Sequence, residues 1–150
     1  METENLITPK EVSAPTVTSE NIVEVAASSA DWLSAATKRI SILCGLSDGW
    51  DEGAGKRAQR EAIACATAIL QQEAINNVPQ PGIFLTTEGG FSFQWSEENK
   101  GLELDIAPNG EEISYFLRQS EKPDQSSSIQ LSSNGWPRLI DLFQLLGSKT

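Results

Sequence analysis

Apolar positions recur along this chain with two different spacings, and the switch between them divides it. From Trp32 the apolar residues Ala36, Ile40 and Leu43 return every three or four positions, the period of one helix face. Ser28, Ser29 and Asp31 precede that stripe as a helix start and Gly45 closes it, predicting a helix over about 30–45. Ala62, Ile63, Ala66, Ile69 and Leu70 repeat the pattern over about 56–75. Their many small alanines leave room for a neighbouring element to approach closely. Asn76, Asn77, Pro79 and Pro81 end that helix.

Beyond Pro81 the period drops to two. Ile83–Thr86, a Glu88-Gly89-Gly90 turn and Phe91–Trp95 read as a β-hairpin, with Phe91, Phe93 and Trp95 on one face. Leu102, Leu104 and Ile106 alternate with Glu103 and Asp105, and Pro108-Asn109-Gly110 turns the chain into Ile113, Tyr115 and Leu117. Residues 119–128, QSEKPDQSSS, read as a polar loop, followed by a short strand Ile129–Leu131. The helical period then returns in Leu139, Ile140, Phe143 and Leu146, with Ser133 or Asn134 as cap, Pro137 in the first turn and Gly147 at the end. The predicted class is α+β: two N-terminal helices, a four- to five-stranded antiparallel meander, and a C-terminal helix packed on one sheet face.

Length and composition refine this picture. The chain has 150 residues, enough for one core, and its 39% hydrophobic content is low for a compact fold, a shortage that is not spread evenly. Residues 1–27 contain no aromatic side chain and no helical period. They read as a flexible acidic arm, on which Ile22, Val23 and Val25 could dock as an extended strand, with a single α+β domain over 28–150. Eleven basic against twenty-one acidic residues leave a net charge of −10, which repels phosphates and argues against direct nucleic-acid binding. Acidity of this size also serves solubility alone. Cys44 and Cys65 lie inside helical stretches and read as buried thiols of a reducing compartment. The start METENLITPKEV lacks the layout of a secretion signal, and no apolar run approaches a membrane span. The expected location is the cytoplasm, with no membrane partner.

The connection between the first two helices, SDGWDEGAGKR, admits three readings. A phosphate loop fails because Trp50 stands where a glycine is required and Arg57 where a Ser or Thr is required. A calcium loop fails because Asp48, Asp51 and Glu52 fall at intervals of three and one. The remaining reading is structural: Gly49, Gly53 and Gly55 reach positive φ, Trp50 plugs the core end, and Asp51 caps the second helix. Gly49-Trp50-Asp51, then Gly53-Ala54, a helix, two prolines, the Gly-Gly hairpin ending in Trp95, and the Leu102–Ile106 strand before Asn109-Gly110 together resemble a group of small bacterial and mobile-element proteins. The resemblance covers roughly residues 45–118, and this chain departs from it by having Glu52 where glycine is commoner. It implies partner binding of antitoxin or anti-defence type and assigns no catalytic residue.

The chain has no histidine, which removes the usual general base, the Ser-His and Cys-His nucleophile pairs and most zinc sites. Glu103 and Asp105 share one strand face and are the best carboxylate pair for acid–base work, although a solvated sheet face explains them as well. Glu111 and Glu112 point to opposite faces and cannot serve one site unless a bulge intervenes. No catalytic residue, cofactor or metal is expected. Phe84, Gln94, Glu103, Asp105, Phe116 and Arg118 should share the face opposite Ile83, Trp95, Leu104 and Tyr115. Two phenylalanines among acids compose either an apolar anchor with a charged rim for a protein partner or a face that the arm or a helix covers. The expectation is a non-catalytic regulator or inhibitor that binds a basic protein surface, with nucleic-acid mimicry as one route. A secretion-type chaperone or assembly adaptor and, after it, a carboxylate-dependent enzyme are the alternatives, and a homodimer is a possible assembly.

Overall fold

The computed structural model describes residues 24–147, and the side chains of 32–147. Its elements run α1 (Glu24–Cys44), α2 (Arg60–Leu70), a 3-10 turn (Glu73–Asn77), β1 (Gly82–Leu85), β2 (Phe91–Ser96), β3 (Lys100–Ile106), β4 (Glu112–Gln119), β5 (Gln125–Gln130), a short 3-10 turn (Leu131–Ser133) and α3 (Trp136–Gly147). The five strands form one antiparallel sheet in sequence order, a simple meander. The α+β expectation holds at this level.

Strand alternation sorts the sheet into two faces. The inner face is built from lateral rows: Leu85, Phe91, Ile106, Ile113 and Ile129 form one, and Ile83, Phe93, Leu104 and Tyr115 the next. All nine are buried. A third row, Trp95, Leu102 and Leu117, extends the same surface. The helices supply the opposing layer: α2 packs on β2 and β3, and α3 packs on β3 and on the 3-10 turn that follows α2. Ala36, Ile40 and Leu43 of α1, Ala62, Cys65, Ala66 and Ile69 of α2, and Leu139, Leu142, Phe143 and Leu146 of α3 complete the core. Phe143 meets Trp95 edge-on at 5.8 Å between ring centroids, a favoured aromatic geometry. Trp95 Nε1 donates to the Pro79 carbonyl at 2.7 Å, and Trp32 Nε1 to the Val78 carbonyl at 3.1 Å. Trp95 is thereby buried, and Trp32 half-buried, without a stranded donor.

Several boundaries differ from the sequence pattern. Helix α1 begins at Glu24, so Ser28, Ser29 and Asp31 lie within it, and Val25 is helical where an extended arm was expected. The rest of that arm, including Ile22 and Val23, lies outside the described residues. Helix α2 starts at Arg60 rather than near Lys56, because the backbone of 56–59 is spent on the β1–β2 turn: Lys56 N–H donates to the Thr87 carbonyl and Gln59 N–H to the Gly89 carbonyl, both at 2.9 Å. It ends at Leu70, and the residues to Asn77 tighten into 3-10 geometry. The polar loop shrinks, since 125–128 belong to β5, where pairing with β4 overrides low β propensity. Asn134 adopts a left-handed conformation after the short 3-10 turn and does not cap α3; Gly135 occupies that place, its carbonyl accepting from Leu139 N–H at 3.1 Å. Leu142 is buried in α3 and Ile140 only half-buried.

Candidate functional site on the open sheet face

The outer face of the sheet follows from the same register. Phe84, Ser92, Asp105, Ser114 and Ser128 form one lateral row, and Gln94, Glu103, Phe116 and Ser126 the next, with Arg118 beside Gly101 at the margin. All six expected side chains, Phe84, Gln94, Glu103, Asp105, Phe116 and Arg118, therefore share this face. Phe84 and Phe116 are each 44% exposed, and two strands separate them. Between them lie Glu103 and Asp105 of β3.

Electrostatics on this face are uneven. Glu103 has its carboxyl raised above the ordinary value, first by a side-chain hydrogen bond with Asp105, then by partial burial and by the Asp105 charge. A proton on Glu103 is thus shared toward a neighbouring carboxylate two residues along the same strand. Arg118 Nη2 donates to the Glu97 carbonyl at 3.0 Å, which ties it to the β2–β3 turn.

Sequence reading missed Arg39, Ser92, Ser126 and Ser128. Arg39 of α1 reaches the β1 edge, where its Nε donates to the Ile83 carbonyl at 2.9 Å and its guanidinium lies 5.9 Å from the Phe84 ring centroid. No periodicity announces such a contact. Ser92 is only 5% exposed although it faces outward, and it accepts from Gln94 Nε2 at 3.1 Å. Ser126 and Ser128 join the face because β5 is longer than its apolar content suggests; alternation counted backward from Ile129 would have placed them.

The SDGWDEGAGKR connection folds on itself. Gly49 N–H donates to the Gly55 carbonyl at 2.7 Å, while Asp51 and Ala54 exchange backbone hydrogen bonds at 2.8 and 2.9 Å. Gly49, Gly53 and Gly55 have φ of 86°, 95° and 93°, values that side chains rarely tolerate. Trp50 is half-buried against the core and donates its Nε1–H to the Lys56 carbonyl at 2.8 Å, so it closes the loop as well as shielding the core end. Asp51 does not cap α2. The acid used is Asp48, whose Oδ1 accepts from Arg57 N–H at 2.8 Å, and α2 has no side-chain cap at Gln59. Glu52 has φ of 52°, a backbone setting that glycine relieves.

Other chemistry is sparse among the described residues. No cluster of three metal-ligating side chains occurs there. Both cysteines are free; burial pushes the Cys65 thiol up to about 11 and also raises Cys44, which is half-buried. Their thiolates are disfavoured at neutral pH. No helix among the described residues is long and apolar enough to cross a membrane. The chain matches no known family, no curated protein and no solved structure in comparisons with all three.

Proposed function

We propose that this chain is a non-catalytic regulator or inhibitor that occupies the surface of a basic protein with the open face of its sheet. The observation carrying this reading is the pair of half-exposed phenylalanines, Phe84 and Phe116, bracketing Glu103 and Asp105. An outward aromatic gains nothing from water, while a partner surface would bury it. The net charge of −10 speeds encounter with a basic partner and includes nucleic-acid mimicry as a route. The antitoxin or anti-defence setting implied by the Gly49–Ala54 turn and the Gly-Gly hairpin, and action in the cytoplasm, belong to the same proposal.

The test is capture of partners from the native cell with the full chain, with Phe84→Ser/Phe116→Ser, and with residues 1–27 deleted. The proposal expects a partner held by the full chain and lost with the double variant. Loss only on deletion of 1–27 would move the interface to the arm. Mimicry further expects retention to fall steeply with added salt. A second reading, a chaperone or assembly adaptor, is favoured by one feature, the outer edge of β5, which no other strand among the described residues pairs.

A further inference from the structure

The two edges of the sheet are treated differently. β1 is four residues long and is met by Arg39, whose Nε occupies the Ile83 carbonyl. β5 is six residues long, and Gln125, Ser126, Ser127 and Ser128 are all exposed. It holds no charge and no proline, two of the devices that ordinarily blunt an edge.

The register shows which groups are open. Leu131 N–H donates to the Glu111 carbonyl at 2.9 Å, and bonded pairs alternate along an antiparallel ladder. Gln125, Ser127 and Ile129 therefore turn their backbone polar groups toward β4, while Ser126, Ser128 and Gln130 turn theirs outward. At Gln130 the chain itself returns: a Cβ on Gly135 would lie 2.6 Å from the Gln130 carbonyl oxygen. Ser126 and Ser128 are left open, and neither makes an outward backbone bond among the described residues.

We infer that β5 pairs antiparallel with β5 of a second copy, about a two-fold axis through Ser127. Ser126 then faces Ser128 of the partner subunit and Ser128 faces Ser126 of the partner subunit, so every open group of one edge meets its complement on the other. A self-complementary edge suits an isologous contact. The absence of charge on β5 is what allows two copies of net charge −10 to meet there, and it offers a basic partner nothing to read. The axis stands perpendicular to the sheet, so both open faces lie on one side of a ten-stranded sheet. A ladder this short buries less than the roughly 1,200 Å² where stable interfaces begin. The dimer is therefore weak and concentration-dependent.

Sedimentation of the full chain from about 10 µM to about 1 mM, with amide exchange by NMR, tests this within the range expected for weak contacts. The expected result is a monomer–dimer equilibrium that tightens as salt screens the mutual repulsion, with the Ser126 and Ser128 amides gaining protection as dimer forms. Ser127 and Ile129 amides, bonded to β4, are protected throughout. Ser128→Pro removes only an outward N–H, and should weaken dimerisation about tenfold or more, because the symmetric contact loses two ladder bonds. A chain monomeric at the highest concentration, or a dimer that leaves the Ser126 and Ser128 amides unprotected, overturns the inference. Docking of a basic protein on the open face weakens with salt where this dimer strengthens, so the two readings fail separately.

Discussion

The two faces of one sheet have the same strands, register and twist, yet opposite chemistry. The inner face holds Phe91, Phe93, Leu104, Ile113 and Leu117, all nearly inaccessible, and every one of them touches the helical layer or a cross-strand neighbour. On the outer face the corresponding positions are Ser92, Gln94, Glu103, Asp105 and Ser114, interrupted by Phe84 and Phe116. The first surface makes the fold. The second carries an acid pair and two half-exposed aromatic rings, and the proposed partner binding rests on that asymmetry.

Substitutions should separate the faces sharply. Phe93→Ala removes a fully buried ring between Ile83 and Leu104 and should cost about 3–5 kcal/mol in denaturant unfolding. An effect near that of a surface change would erase the distinction between the faces. Next in size is Gly55→Ala, which lies on neither face and tests what holds the helical layer to the sheet. Its φ is 93° and a Cβ would meet the Trp50 ring at 2.8 Å, so a loss of about 2 kcal/mol is expected from backbone strain and ring displacement together. Retention of full stability would mean that the Trp50 ring has freedom to move aside.

Phe116→Ser should cost less than about 1 kcal/mol, the cross-strand packing of one exposed aromatic, while partner retention is lost. A larger destabilisation would make Phe116 part of the fold and weaken its assignment to docking. Glu103→Gln has the smallest expected effect and the opposite sign. A carboxyl raised by its neighbour holds its proton more tightly folded than unfolded. The pair therefore opposes folding above that raised value, and the opposition disappears as pH falls below the ordinary Glu range. The variant should gain a few tenths of a kcal/mol at pH 7 and match the parent in acid, as read from unfolding midpoints across pH. Equal midpoints at every pH would mean that the two carboxylates do not interact.

Local pattern determined much of this protein. Alternation in 83–118 placed four strands and all six face residues, because side chains of a strand must point to opposite sides and the apolar ones seek the core. The three-and-four spacing located most of the buried stripe of each helix for the same reason, although it took Ile140 for Leu142 in α3. Glycines at 49, 53 and 55 marked a turn that their φ values require.

Tertiary structure decided the rest. Where α2 begins depends on Thr87 and Gly89, some thirty residues away, since their carbonyls hold Lys56 and Gln59 outside the helix. Asp48 rather than Asp51 engages the backbone because the loop folds before the helix starts. β5 exists because β4 offers an unpaired ladder, a hydrogen-bonding opportunity that no propensity of Gln125–Ser128 announces. Arg39 meets Phe84 across 45 positions of chain for the same reason. Side-chain periodicity is a property of neighbours along the chain, whereas backbone polar groups must be satisfied by whatever the fold brings near.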